Sequence, residues 1–562
     1  VVTLPIRAAK PQSPRAAPQS GETGGGLSAA AWWLLFLALG LALLAPLLLV
    51  DIPPILDYPN HLARLYFLAH GTDDPNLSRF YAVRWGVIPD LAIDSFGPLL
   101  LRVFPVYVAG RIVLGLVLLL TVGGIVAYSR AVFGGRRPWA LAGGLVAYNL
   151  AFLFGFLNFL VSLGMAMLFA AAWIVWRERR PVASVALGVA AGAVLFFAHL
   201  MGVAFYLVLV GSAELEAAWR LRRGGMRAGP ALLRRLGPAA ALTVAPLVLY
   251  AFTRLERVPD ETRWADWTVK AWQVICGFIN YDFALDMMSA ALVFGFVAAC
   301  LATGRARIAP KAVAAFAVLI ALYAGLPEAF KGTNLLDLRP AVMFALLMFA
   351  GFTPARLPRR IAVLAAAGVV VLFGVRMGAV AVNWRAHQAD VNAYRAVIAL
   401  IPPGSRVFVL DVPQSEAPHY WMDQPDGRLL SVGYRIDIHM SAMILIERHA
   451  FWPGLFADPA QQPVIRRPPY DELTHYFWDL PGHAALARSE RRLDRRSAAG
   501  FGKLACHADY VLLTQAGADD DLAAFGAGYL DLLKANDLAA LFRVRATDPT
   551  CPIATKSDEA PG

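Results

Sequence analysis

Two carboxylates and two basic side chains crowd the segment VDIPPILDYPNHLARLYFL: Asp51, Asp57, His61 and Arg64. A carboxylate can take a proton from a hydroxyl, while a histidine and an arginine a few residues away can hold a phosphate, so the segment suits chemistry on a lipid-linked phosphate at a membrane surface. Each residue also has a plainer reading. Asp57 beside Pro59 could be a turn or capping carboxylate, Asp51 an interfacial residue at a span end, and His61 a solvated side chain. Asp51, Asp57 and His61 could together bind a divalent cation, but their spacing is not diagnostic, and no metal site is assigned.

A second cluster lies in LPEAFKGTNLLDLRPAVMF, where Lys331 and Arg339 flank Asp337. Arg339 could grip a phosphate through both arms of its guanidinium with Asp337 holding it in place, or it could be an anchor that snorkels to the interface. His199, in FFAHLMG, and Asn158 fall at the ends of apolar runs. There they contact substrate or bond one helix to another. The stretch 254–286 carries Arg254, Arg257, Arg263, Trp264, Trp267, Trp272 and Tyr281, which form either an aromatic, basic lid or a row of interfacial anchors. Other chemistries lack their signatures: there is no Walker loop, no cysteine pair at zinc spacing, no HExxH and no GxSxG.

The elements that must position these residues are membrane spans. At 58% hydrophobic and 16% charged residues, with mean hydropathy +0.55, the 562-residue chain is too apolar for an ordinary soluble globule. Eleven apolar stretches approach the roughly 20 residues that cross a bilayer: 29–50, 106–129, 139–157, 159–176, 182–199, 200–219, 238–253, 286–303, 310–326, 339–353 and 361–381. Alternate connections are basic, with 21 Lys or Arg against two acids, whereas 51–102, 254–286 and 326–339 hold 10 basic and 14 acidic residues. Since short cytoplasmic loops retain Lys and Arg, the N-terminus is expected in the cytoplasm and the C-terminus across the membrane. The pI near 9.6 then reflects topology and contact with anionic membrane lipids, not nucleic acid.

Residues 1–28 read as a disordered cytoplasmic tail, and the first span as a retained anchor, not a signal peptide. The transmembrane domain covers 29–381, with outer loops 51–105, 254–286 and 326–339. Loop 51–105 should contain a helix from Asn60 to His70, whose stripe Leu62, Leu65, Tyr66 and Ala69 would lie on the membrane surface. From 382 to 562 hydropathy falls and seven of the ten histidines appear, which indicates a soluble domain. Strand patterns at 406–410 and 510–513 alternate with helical patterns near 388–400 and 519–541, so the domain should be α/β. Cys506 and Cys551 could form a disulfide there, while Cys300 belongs to the membrane core. No internal repeat supports an inverted-repeat transporter.

This arrangement resembles the GT-C superfamily of integral-membrane glycosyltransferases, which use polyprenyl-phosphate-linked sugars. The likeness covers most of the chain: an acidic first outer loop with a surface helix, many spans, a later outer loop entering a span through Arg339, and a C-terminal extracytoplasmic domain. It implies a base in the first outer loop, at Asp57 or at Asp51. Members of the family often carry adjacent Asp-Glu or Asp-x-Asp there, whereas Asp51 and Asp57 are separated by six residues. An inverting transfer to a glycan, lipid or protein acceptor would place Arg339 and Lys331 on the leaving phosphate. His61 and Arg64 would make a second phosphate or acceptor contact. A transporter or flippase of a lipid-linked saccharide shares the basic groove but needs no carboxylate in the first loop, and a non-catalytic membrane scaffold needs neither.

Overall fold

The computed structural model describes residues 28–253, 262–331, 333–411, 428–459, 461–471, 508–514, 522 and 530–545. Apolar composition makes helices wherever the sequence places spans, because in hydrocarbon every backbone amide must be satisfied within its own segment. The first is α1 (Ala29–Leu44), capped by Ser28. It is followed outside the core by α2 (Tyr58–Tyr66) and α3 (Ala92–Leu101). The bundle continues through α4 (Val106–Phe133), the short α5 (Leu150–Phe154), α6 (Leu157–Trp176), α7 (Pro181–Ala198) and α8 (Leu200–Arg223). Then come α9 (Ala228–Ala240), α10 (Val244–Phe252), α11 (Trp267–Gln273), α12 (Phe283–Ala302), α13 (Val313–Gly325) and α14 (Leu338–Gly351).

Among the described residues, eight helices are long and apolar enough to cross a membrane. The other three expected spans are the shorter Pro138–Phe154, Pro310–Gly325 and Leu338–Gly351. Strand pairing settles the parity. Strand β1 (Tyr81–Val83), in the first loop, pairs antiparallel with Val464–Arg466 of the C-terminal domain. Segments joined by backbone hydrogen bonds share one face of the bilayer, which requires an odd number of crossings; eleven satisfies this and eight does not. Crossing by the shorter helices would require local thinning of the bilayer. Two further pairings sort the remaining loops. Strand β2 (Thr262–Arg263) pairs with Ala329–Phe330, and β3 (Ala306–Ile308) pairs with Phe352–Pro354, so each pair of loops keeps to one side.

The last helix, α15 (Arg359–Ile398), is 40 residues long. At 1.5 Å per residue it is about 60 Å, twice the hydrocarbon thickness, so it runs unbroken through residue 381 into the C-terminal domain. There Asn536 Nδ2 donates to the Ala393 carbonyl at 2.9 Å and fastens the helix to a four-stranded sheet. In that sheet Val407–Asp411 runs parallel to Tyr510–Thr514, and Ala539–Val544 and Leu530–Ala535 add antiparallel beyond it. The domain is α/β. Of the helical pattern near 519–541, the part from 530 is overturned by the last two strands, which turn at Asn536, whose Oδ1 accepts the amides of Leu538 and Ala539, while 519–521 and 523–529 lie outside the described residues. Leucine and alanine favour a helix locally, and sheet pairing overrides that preference.

One expectation about α2 is corrected. Asn60, Leu62, Ala63, Arg64 and Leu65, which between them point to every side of the helix, are all buried. The helix does not lie on the bilayer. It is clamped between α3, α4 and the segment 439–456 of the C-terminal domain.

Candidate functional site

The turn Phe154–Gly155–Phe156, which joins α5 to α6, organises the site. Leu56 and Asp57 donate their amides to the carbonyls of Leu153 and Phe154 at 2.9 and 3.1 Å, which lays the chain before α2 against this turn. Gly155 has φ +85°, a left-handed conformation that favours glycine. Asp57 occupies the N-cap position of α2, yet its side chain makes no capping hydrogen bond. Its Oδ1 instead lies 3.2 Å from Nε2 of His439, and both side chains are 19% exposed. Among the described residues Oδ2 has no partner, so one carboxylate oxygen remains open to a ligand.

His61 sits one turn into α2. Its Nε2 donates to the Gly155 carbonyl at 3.1 Å, which leaves Nδ1 as the acceptor, buried and without a partner among the described residues. Burial, reinforced by Arg64 and His439, holds the ring well below the usual histidine range, so it is neutral. Phe456 stands 5.4 Å from the His61 ring and 5.1 Å from that of His439.

At Phe156, the last residue of the turn, Arg339 from the start of α14 sets its guanidinium 5.7 Å from the rings of both Phe156 and Phe159. Its Nη1 is 2.9 Å from Nε2 of His199. The His199 Nδ1 accepts the Met201 amide at 3.0 Å, so a neutral His199 carries its proton on Nε2. Two donors therefore face each other, and an anionic acceptor at that point would relieve the conflict. Among the described residues no carboxylate lies within ion-pair distance of Arg339, and its Nε is buried without a hydrogen-bond partner.

Asp90, which the sequence reading did not single out, completes this side. It has φ +73°, and its carbonyl accepts Nδ2 of Asn158 at 2.6 Å, while Asn158 Oδ1 accepts the Ile93 amide at 2.8 Å. Asn158 is thus a staple between α6 and the loop before α3. Burial pushes the Asp90 carboxyl up to about 7, against the opposing pull of Arg64 and Arg339.

No family model matches this chain, and no curated protein does. Among solved structures it is similar to the crystal structure of ArnT from Cupriavidus metallidurans bound to undecaprenyl phosphate. That superposition has a TM-score of 0.48 and 15% identity over 92% of this chain and 99% of the other. For the same protein in the apo state the TM-score is 0.47, with 14% identity over 92% and 98% of the two chains. With so little identity, the chemistry is read from this chain's own residues.

The remaining expected site residues are placed as follows. Asp51 pairs with Arg395 of α15 at 2.7 Å and accepts Gln388 Nε2 at 3.5 Å, joining the end of the first span to the part of α15 beyond the last span. Arg64 forms a buried two-pronged pair with Asp94, Nε to Oδ1 at 2.7 Å and Nη2 to Oδ2 at 2.8 Å. Asp337 does not hold Arg339. It is buried against Lys270 at 3.4 Å and Gln273 at 3.4 Å, because residues two apart at a helix start point to different sides. Lys331 is exposed, its ammonium 5.4 Å from the Phe330 ring.

Of the expected lid, Tyr281 is buried, donating to the Pro54 carbonyl at 3.0 Å, whereas Trp264 and Trp267 are exposed. Arg254 and Arg257 lie outside the described residues, as do Cys506 and Cys551. Cys300 is buried. Asp51, Asp57 and His61 do not converge on one point, and among the described residues no three His, Cys, Asp or Glu groups are arranged to hold a metal ion.

Proposed function

We propose that this protein is a membrane glycosyltransferase that moves a sugar from a polyprenyl-phosphate donor to a glycan, lipid or protein acceptor, on the outer face of the cytoplasmic membrane. The observation that carries the proposal is that Asp57 and Arg339 both contact the turn 154–156, Asp57 through its amide on the Phe154 carbonyl and Arg339 over the Phe156 ring. Asp57 offers an open carboxylate oxygen, and Arg339 a guanidinium with no carboxylate partner among the described residues, facing a second donor. A donor sugar seated over the turn would have its phosphate toward Arg339 and His199. The acceptor hydroxyl would approach Asp57.

In the reaction the acceptor oxygen attacks the anomeric carbon while the bond from that carbon to the phosphate oxygen breaks. Asp57 takes the hydroxyl proton, and Arg339 with the His199 Nε2–H receives the charge that develops on the leaving phosphate. A single displacement of this kind inverts the anomeric configuration. The Arg64–Asp94 pair orients α2 against α3, and exposed Lys331 would meet the donor only at the rim of the groove. The basic loops, including 220–237, would face the cytoplasm with the tail 1–28, and the domain beyond 382 would stand outside.

The test is transfer from a panel of polyprenyl-phosphate hexoses and pentoses to an envelope lipid-and-glycan extract by purified variants. Asp57→Asn should lower turnover by about 10²- to 10⁴-fold. Binding of polyprenyl phosphate should persist. Asp51→Asn should cost far less, because Asp51 is engaged with Arg395. Full activity in Asp57→Asn would sink the mechanism, and a transporter or scaffold would tolerate that change.

A further inference from the structure

Asn60 satisfies its three side-chain hydrogen-bond partners in one amide orientation only. Its Oδ1 accepts the Phe456 amide at 2.8 Å, while Nδ2 donates to the Gly454 carbonyl at 2.8 Å and faces Nδ1 of His439 at 3.3 Å. Turning the amide over would set an NH2 against an N–H and a carbonyl against a carbonyl. Because Asn60 is fully buried, no water could relieve either conflict. The His439 Nδ1 must therefore be the acceptor. In a neutral ring the proton then sits on Nε2, directed at Asp57 Oδ1.

From this chain of fixed roles we infer that His439, set by Asn60, is a positioning residue for Asp57, and that the C-terminal domain thereby completes a site otherwise built from membrane loops. The inference rests on Asp57 being the base, as proposed above. Both nitrogens of His439 are engaged, so the ring does not itself take the acceptor proton. It anchors Oδ1, which fixes the carboxylate plane and turns Oδ2 toward the acceptor. The ring stays in place between Phe456 at 5.1 Å and Trp452 at 6.3 Å, both from the same domain. Backbone bonds reinforce the junction, since the Phe456 and Gly454 groups that orient Asn60 belong to the domain while Asn60 belongs to α2.

A double-mutant cycle tests this. His439→Ala should lower kcat for transfer from polyprenyl-phosphate hexoses by about tenfold or more, less than loss of the base itself. Binding of polyprenyl phosphate should be unchanged, and His439→Gln, which keeps an N–H donor, should recover most of the rate. In an Asp57→Asn background, His439→Ala should cost nothing further in kcat, because its effect passes through Asp57. Additive losses, or full activity of His439→Ala alongside an impaired Asp57→Asn, would overturn the role of His439 and leave the base intact. Full activity in Asp57→Asn would overturn the underlying reading instead.

Discussion

Gly155 backs directly onto Asp57: a Cβ at Gly155 would fall 2.8 Å from the Asp57 Cβ and 3.1 Å from its amide nitrogen. The left-handed φ of +85° adds a second obstacle to any side chain. Gly155→Ala should therefore cost about 1–2 kcal/mol of stability through the backbone alone. It should also push Asp57 away from His439 and lower turnover by more than the fall in thermal midpoint explains. Unfolding curves and transfer rates on the same purified variant would show whether the two losses separate.

The donor–donor approach of Arg339 and His199 implies that polyprenyl phosphate binds where both N–H groups point. A charge-assisted hydrogen bond is worth about 1.5–3 kcal/mol, or about 10- to 100-fold in affinity. Arg339→Lys keeps the charge but loses the planar fork that also lies against Phe156 and Phe159, so affinity for polyprenyl phosphate should fall by about that factor. Affinity equal to the parent's in both Arg339→Lys and Arg339→Ala would make Arg339 an anchor.

Arg64 and Asp94 are a buried pair, with side chains 1% and 0% exposed. Removing one partner strands a charge and should cost about 3–5 kcal/mol, whereas removing both in favour of apolar residues of similar size should restore much of the loss. Thermal unfolding of Arg64→Met, Asp94→Leu and the double variant in detergent reads this directly. If Arg64 instead served mainly to bind phosphate, Arg64→Met would leave the midpoint unchanged and weaken polyprenyl phosphate binding.

Asp90 should give stability an unusual dependence on pH. Its carboxyl is pushed from the ordinary 3.8 up to about 7 in the fold, so between those values the folded chain holds a proton that the unfolded chain has released. The contribution is present in full below about pH 4 and is lost as pH rises toward 7. Asp90→Asn, neutral throughout, should match the parent near pH 4 and exceed it increasingly up to about pH 7, where the gap levels off. Midpoints measured across that range that run parallel for the two proteins would contradict the assignment.

Much of the architecture was legible in the sequence because it depends on local composition. Apolar length marks spans, basic residues mark one set of loops, and β-branched runs mark Val407–Asp411 and Tyr510–Thr514, all without reference to distant contacts. Asp57 and Arg339 also stood out, each as a member of a charged cluster near the end of a span. Their partners did not. His439 reaches Asp57 from the C-terminal domain, and Arg339 meets His199 across 140 residues while Asp337, two positions away, turns to Lys270. Asp90 became visible only when burial raised its proton affinity, against the opposing pull of Arg64, Arg339 and Asn158. Helical phase and the docking of the C-terminal domain over α2 decide these pairs. Helical phase acts within a few residues but needs the helix start to be known, and the docking depends on packing between segments far apart in the chain, for which local spacing carries no signal.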